Sequence, residues 1–224
     1  MTEADFPLLS LIITIPLLGA LLAGSIRNVD VAKQIAFFTA LITFVLTACA
    51  TLLFDADKSG FQLVERYDWI PLLKIEYLVG VDGISVLFLP MTGLLTIITM
   101  LASWSAISHS SRFHFSLLLA LESVSIGVFC ALDTVLFFLF WELTLPPFFF
   151  LIGLWGIGSQ RRSAAMKYTL FMLAGGVTLL LAIIVLATNH AKQIGGQIPN
   201  DLTFSLPILL NTPLPDNLQT LVFL

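Results

Sequence analysis

The sequence predicts an all-α polytopic membrane protein with six transmembrane helices and the start of a seventh. Hydrophobic residues make up 58% of the 224 residues and charged residues only 11%, and the mean hydropathy is +1.01. Soluble domains carry about 25% charged residues. The apolar residues also gather in long segments, six of which reach the roughly 20 residues that cross a bilayer. The chain is therefore expected to lie in a lipid bilayer.

The six apolar segments follow one another along a single membrane domain. They cover about residues 6–24, 35–54, 84–106, 113–131, 134–156 and 164–188, and a partial helix covers 217–224. Asp82 and Asp133 stand before the third and fifth segments, where an Asp side chain can cap the first turn. Eight residues at 1.5 Å each cannot cross the hydrocarbon core. We therefore expect a fragment, a split polypeptide with a companion segment, or a last stretch that lies along the interface.

The longest polar segment, residues 55–80, is expected outside the membrane. Within it, FQLV and KIEYLVG are predicted to pair as short strands on the membrane surface, with aromatic side chains at headgroup level. Cytoplasmic loops carry an excess of Lys and Arg. The links after the odd-numbered segments hold Arg27, Lys33, Arg112, Arg161 and Arg162, with Lys167 close by, and the other side holds Lys58, Arg66, Lys74 and Lys192. This bias predicts that the N-terminus lies outside.

Glu142 is the first candidate for a functional residue. It lies eight residues after Thr134, roughly 12 Å into its helix at 1.5 Å per residue, and two prolines, Pro146 and Pro147, follow it. A carboxyl group near mid-membrane is costly and is functional by default, and the prolines free backbone carbonyls that need other partners. Glu142 is predicted to load and release a proton. The alternative is a protonated carboxyl group that only hydrogen-bonds a neighbouring helix.

Two further ionisable side chains are candidates for proton transfer. Glu122 lies well inside the fourth segment, where it either continues a hydrated path with Ser123 and Ser125 or hydrogen-bonds a neighbouring helix. Lys167 lies about one turn inside the sixth segment. It either extends to the inner interface or points into the bundle and relays a proton.

Other polar and small residues indicate no second site. His109 and His114 flank Arg112 in a short inner link, as solvated histidines or as a proton-uptake point. Gly175 and Gly176, with Gly153, Gly156 and Gly158, are expected to mark close helix contacts. Cys49 and Cys130 lack metal-ligand spacing and are expected to be buried thiols.

Several classes of function are excluded by what the sequence lacks. The net charge is −4, and no basic cluster exceeds Arg161-Arg162, so no nucleic-acid partner is expected. The sequence contains no cysteine cluster, no dinucleotide fingerprint and no Ser–His–acid pattern. We therefore expect no metal and no redox cofactor in this chain.

Several segments together resemble a known family. LFFLFWELTLPPFFFLIGLWG, preceded by GVFCALD and followed by RRSAAMKYTLFMLAGG, is similar to subunit M (chain 4), an antiporter-like membrane-arm subunit of respiratory complex I. YDWIP and YLVGVDGISVLFLPMTGLLT resemble the second loop and third helix of that family. The D subunits of Mrp cation/proton antiporters are also similar, but the Trp-Glu-Leu context favours the complex I branch. The resemblance covers nearly the whole chain.

The resemblance implies a proton-translocating module. In the family, the glutamate that matches Glu142 pairs with a lysine on a broken seventh helix, and a lysine matching Lys167 is linked to the half-channel. Members are about twice as long, with fourteen helices in two inverted repeats and flanking helices. The partner lysine is expected just beyond Leu224, so a companion segment or a longer chain is expected to supply it.

Three functions remain open at this point. The first is a membrane-arm subunit of proton-pumping NADH:quinone oxidoreductase in the bacterial inner membrane, with the other membrane-arm subunits as partners. The second is a Na⁺/H⁺ antiporter of the Mrp type or a module of a membrane-bound hydrogenase. The third is a truncated scaffold subunit, which would tolerate substitution of both Glu142 and Glu122.

Overall fold

The computed structural model describes residues 6–223. Its elements are α1 (Leu8–Ser25), α2 (Val29–Leu53), β1 (Gln62–Ile70), a 3-10 turn (Pro71–Leu73), β2 (Ile75–Val81), α3 (Ser85–Ser103), α4 (Ser111–Cys130), α5 (Thr134–Leu143), α6 (Leu145–Trp155), α7 (Arg161–Gln193), α8 (Leu206–Leu209) and α9 (Asp216–Phe223). Among these residues, six spans are long and apolar enough to cross a membrane, with α5 and α6 forming one of them. The predicted six transmembrane helices are confirmed, and the chain is a multi-pass membrane protein.

Two spans are longer than the sequence predicted. α2 begins at Val29 rather than near residue 35, because the Asn28 side chain accepts hydrogen bonds from two first-turn amides at 3.0 and 3.3 Å. α7 covers Arg161–Gln193 rather than 164–188, a length of about 50 Å. Its polar outer end stays helical because it has partners in the following segment: the Gln193 side chain donates to the Pro213 carbonyl at 2.6 Å.

Two short helices follow α7. α8, over Leu206–Leu209, lies in a proline-rich segment for which the sequence predicted no helix. α9, over Asp216–Phe223, occupies the place of the predicted partial helix. Leu224, the last residue of that prediction, lies outside the described residues.

α4 lies at the centre of the bundle. It packs against α1, α2, α3, α5 and α6. Its Phe115 and Leu119 side chains are fully buried in one apolar cluster with Ala36 and Ala40 of α2, whose small side chains allow close approach. The remaining surface of α2 faces outward, and Cys49 is exposed there. The expectation of two buried thiols is thus right for Cys130 and wrong for Cys49.

The segment between α2 and α3 forms an antiparallel hairpin of β1 and β2, which confirms the predicted strand pairing. The fold is therefore mostly but not entirely helical. From β1, the buried Glu65 carboxylate accepts hydrogen bonds from the Leu9 amide at 2.6 Å and from the amide and hydroxyl of Ser10. Pro7, at the N-cap position of α1, provides no side-chain cap. The hairpin therefore supplies the cap for this helix N-terminus, where negative charge is favourable.

The turn between α4 and α5 is held from two sides. The Leu132 amide donates to the Leu78 carbonyl of β2 at 2.9 Å, and the Leu132 carbonyl accepts from the Leu206 amide at 2.7 Å. As predicted, Asp133 caps its helix, accepting from two first-turn amides at 2.9 and 3.0 Å, and it also accepts from the Glu76 amide at 3.2 Å. Burial raises the pKa of the Asp133 carboxyl group. The outer end of α5 is thus fixed.

At the opposite end of the bundle, two cations bind helix C-termini. Lys33 Nζ donates to the Trp104 carbonyl at the end of α3, at 2.7 Å. Arg112 Nη1 donates to the Ile26 carbonyl at the end of α1, at 2.9 Å. Positive charge is favourable at helix C-termini. The structure therefore places Lys33 and Arg112 at the same end of the bundle. This is the end that the charge bias predicts to lie inside.

Candidate functional site

The fifth predicted span loses its regular helical hydrogen bonding at Thr144. This is a break in the bonding only, because the Thr144 backbone stays right-handed helical at φ −71° and ψ −25°. Pro146 and Pro147 have no N–H group, so the carbonyls of Glu142 and Leu143, four residues earlier, have no helical donor from those positions. The Thr144 amide instead turns back to the Trp141 carbonyl at 3.2 Å. The break places backbone carbonyls without their usual helical donors at the depth of the one acidic side chain in this span.

Glu142 occupies the last turn of α5, at the break. It lies eight residues after Thr134 and thirteen before Trp155, about 12 Å and about 20 Å from the two ends of the span. The hydrocarbon core is about 30 Å thick. The Glu142 Oε1 atom is buried and has no hydrogen-bond partner among the described residues. The carboxyl group thus lies at bilayer depth without the partner that its burial calls for.

α7 approaches this carboxyl group through a glycine. A Cβ atom on Gly176 would overlap Glu142 Oε1 and would lie 2.8 Å from Glu142 Cδ. At Gly175, nothing lies within 4 Å of the equivalent position. The prediction of a close helix contact is therefore right for Gly176 and wrong for Gly175.

An open groove of about 400 Å³ runs past Glu142 between α5, α6 and α7. It is lined by Glu142, Leu145, Pro146, Phe149, Phe150, Thr169 and Leu173. The Thr169 hydroxyl group is also buried without a hydrogen-bond partner among the described residues. Sequence reasoning missed Thr169, although its position seven residues before Gly176 places it on the same face of α7, two turns away. Two polar side chains without partners thus line one otherwise apolar groove.

Lys167 does not lie beside Glu142. It precedes Gly176 by nine residues, which is about 13 Å along α7 and half a turn around it at about 100° per residue. Its side chain is exposed. The prediction that Lys167 points into the bundle is therefore wrong for this structure.

Glu122 is the most deeply buried acid of the spans. It is 1% exposed, and neither carboxyl oxygen has a hydrogen-bond partner among the described residues. The neighbouring Ser123 hydroxyl donates to the Ile13 carbonyl of α1 at 2.6 Å. Because Glu122 and Glu142 lie ten residues before and after Leu132, the turn between two packed helices, they lie at about the same depth. The structure thus provides two carboxyl groups at one level of the bundle.

The two histidines near the start of α4, His109 and His114, occupy different environments. His109 is exposed, whereas His114 belongs to the first turn of α4 and is buried. The expectation that both are solvated is wrong for His114, because its ring packs against the rings of Trp155 on α6 and Phe115 on α4. In residues 6–223, no three His, Cys, Asp or Glu side chains are grouped so as to hold a metal ion.

Known proteins are similar to this chain in sequence. Residues 131–200, which include Glu142 and Gly176, match the family described as NADH:quinone oxidoreductase/Mrp antiporter, transmembrane. Subunit M of the F420H2 dehydrogenase of Methanosarcina mazei is 34% identical over 189 residues, covering 84% of this chain and 38% of that protein. NADH-quinone oxidoreductase subunit M of Rickettsia typhi is 34% identical over 219 residues, covering 94% and 42%. This chain spans about two fifths of the length of these relatives.

Solved structures share the fold. A chain of respiratory complex I from Thermus thermophilus superposes with a TM-score of 0.80 at 23% identity, covering 96% of this chain and 41% of that chain. A chain of the Mrp complex from Dietzia sp. gives a TM-score of 0.73 at 20% identity, covering 96% and 22%. The resemblance based on the Trp-Glu-Leu and Val-Asp-Gly-Ile-Ser segments is thus confirmed by independent sequence and fold similarity. Over nearly its whole length the chain is similar to subunit M (chain 4) of NADH-quinone oxidoreductases, and residues 131–200 match the transmembrane family that these enzymes share with Mrp antiporters.

Proposed function

We propose that this chain forms part of a subunit M (chain 4) in a proton-pumping quinone oxidoreductase, and that it moves protons in response to remote quinone reduction. The observation that carries the proposal is the position of Glu142. Its carboxyl group lies at mid-membrane, beside the break at Thr144, with a buried oxygen that has no partner among the described residues. Intramembrane acids of this kind mark ion pathways.

The chemistry follows from the contrast between two surroundings of one carboxyl group. An apolar environment favours the neutral acid, and a nearby cation or water favours the carboxylate. When a cation or water enters or leaves the groove beside Glu142, the carboxyl group therefore releases or binds a proton. Glu122, at the same depth on α4, provides a second acid to which such a proton can pass.

The proposal extends to partners, cofactors and location. Relatives are named after different electron donors, F420H2 and NADH among them, which supports a subunit that holds no redox cofactor and never meets the donor. We propose the other membrane-arm subunits as its partners and the bacterial inner membrane as its location. A companion segment would supply the remaining helices, with a cation for Glu142. Because Lys167 faces away from Glu142, we assign it to proton transfer only through a group supplied by that segment.

The test uses the complete subunit in its assembled complex, in inverted membrane vesicles. Glu142→Gln keeps the size of the side chain and removes its proton exchange. We expect proton translocation, followed with a pH-sensitive dye, to be lost while assembly is retained. Asp57→Asn, an exposed acid in the turn before β1, is the matched control and should translocate normally. Near-normal translocation by Glu142→Gln would contradict the proposal.

The same vesicles separate the other two functions. Proton movement driven by a sodium gradient, without electron donor or quinone, would indicate an antiporter of the Mrp type, whose fold this chain shares. Normal translocation by both Glu142→Gln and Glu122→Gln would indicate a scaffold.

A further inference from the structure

Two ionisable side chains of α4 are buried and have no hydrogen-bond partner among the described residues. Glu122 is 1% exposed and His114 is 7% exposed. Both carboxyl oxygens of Glu122 and both ring nitrogens of His114 lack a hydrogen-bond partner among these residues. Other polar side chains of the same helix are paired: the Ser116 and Ser123 hydroxyl groups donate to α1 carbonyls at 2.5 and 2.6 Å. Leaving buried polar atoms without partners costs free energy. These two positions therefore call for an explanation other than packing.

The two side chains form a series that leads from the inner end of α4 to mid-membrane. Eight residues separate His114 from Glu122, which is about 12 Å along the helix and about 80° around it. They therefore lie on the same side of α4. Glu122 in turn lies at the depth of Glu142 on α5, which packs against α4.

One aromatic side chain covers the inner end of this series. The His114 ring lies 4.7 Å from the Trp155 ring of α6, centre to centre, at 74°. The Trp155 indole N–H donates to the backbone carbonyl of His109 at 3.1 Å, and His109 itself is exposed in the link. A rotation of Trp155 would thus bring His114 into contact with the inner aqueous side.

Few other charges surround His114. α1, α3 and α6 contain no ionisable side chain, α2 contributes Asp30 and Lys33, and α5 contributes Glu142. On α4 itself, Arg112 is bound to the Ile26 carbonyl, as Lys33 is to that of Trp104. His109 lies beyond Trp155, with its ring centre 6.0 Å from that of the indole.

We propose that His114 takes up protons at the inner end of α4 and passes them to Glu122. Glu122 then holds the protons at the membrane depth of Glu142. One ring nitrogen of His114 binds a proton from the inner side, and the other nitrogen releases its proton through water to the Glu122 carboxylate. The imidazole returns to its neutral form as the other tautomer, and Glu122 becomes a carboxylic acid. This route rests on the proposed function.

The test again uses the assembled complex in inverted vesicles, whose outer surface is the inner side. His114→Phe keeps a ring against Trp155 and removes both nitrogens. We expect translocation to fall by at least about tenfold, since a positioned proton-transfer group typically contributes 10²–10⁴-fold. His114→Ala should fall similarly and should recover when imidazole is added. His109→Phe is the matched control and should translocate normally, because its hydrogen bond with Trp155 uses the backbone and phenylalanine keeps a ring beside the indole.

Each outcome bears on a defined statement. A normal translocation rate in His114→Phe would overturn the uptake route, and so would an assembled His114→Ala variant that imidazole does not restore. Should His114→Phe fail to assemble, the imidazole response of His114→Ala decides. If Glu142→Gln stops translocation and His114→Phe does not, only the uptake route fails. If Glu142→Gln translocates normally, the proposed function itself fails.

Discussion

The pair Gly175 and Gly176 offers the sharpest test of the role of Glu142. The two glycines are adjacent in the interior of α7, and alanine favours a helix over glycine by about 1 kcal/mol at either position. Gly176→Ala places a methyl group against the Glu142 carboxyl group, whereas Gly175→Ala meets open space. The two variants therefore share their effect on helix stability and differ in their effect on Glu142.

The size of the displacement follows from the structure. The added Cβ atom would lie 2.8 Å from Glu142 Cδ, and an ordinary carbon–carbon contact is about 3.5–4.0 Å. The Cδ atom must therefore retreat by roughly 1 Å, and Oε1, which overlaps the added methyl group, by more. A misplacement of about 1 Å can cost about 100-fold in a reaction that depends on position. We expect Gly176→Ala to lower the rate of proton translocation by ten- to a hundredfold.

The assay compares both variants in the same assembled complex. Proton translocation in inverted vesicles gives the functional rate, and native electrophoresis shows assembly. We expect Gly175→Ala to match the unmodified complex in both. Normal rates for both variants would refute the view that α7 positions the Glu142 carboxyl group. An equally large loss of rate in both variants would refute it too, because it would show a general effect of alanine in α7.

Three further substitutions, two of them with a second substitution for comparison, test the structure through its stability, measured as thermal unfolding in detergent. Glu65→Ala should lower the free energy of unfolding by about 1–2 kcal/mol, because α1 loses its cap. Glu76→Ala removes an ion pair with the exposed Arg66 and should change the free energy of unfolding by less than about 1 kcal/mol. Glu122→Leu should raise it by about 1–3 kcal/mol, because it removes a buried group without a partner, while Ser123→Ala, which loses a bond, should lower it by about 1 kcal/mol. Burial raises the folded-state pKa of Asp133 above its ordinary value of 3.8. Its contribution to stability is therefore fully present below that pH and is lost as the pH rises through the folded pKa. Asp133→Asn can keep the cap and should not show this loss; identical pH profiles for the two proteins would contradict the assignment.

The six spans could be predicted because runs of about 20 apolar residues have few alternatives to crossing a bilayer. The position of Glu142 followed from the same count, since a single acid in such a run has a fixed depth. The Asp133 cap was also predictable, because an Asp directly before an apolar helix is a local signal.

What could not be predicted depends on contacts between distant segments. Glu65 caps α1 from 56 residues away, and nothing near it in the sequence indicates a cap. The orientation of Lys167 and the contrast between Gly175 and Gly176 depend on which face of α7 meets α5, and the nearly uniform apolar sequence of α7 does not mark a face. The burial of His114 likewise depends on Trp155 of α6, which is distant in the sequence.

The loss of helical hydrogen bonds at Thr144 gives one membrane span a point at which it can bend. α5 is fixed at its outer end by the bonds of Leu132 and Asp133 to the hairpin and to the segment before α8. α6 continues from Thr144 toward the inner side, with an open groove between it and α7. A tilt of α6 about Thr144 would therefore change the surroundings of Glu142 while the outer half of the span stays closed. Under the proposed function such a bend would matter, because a motion that opened both halves at once would let protons leak back across the membrane.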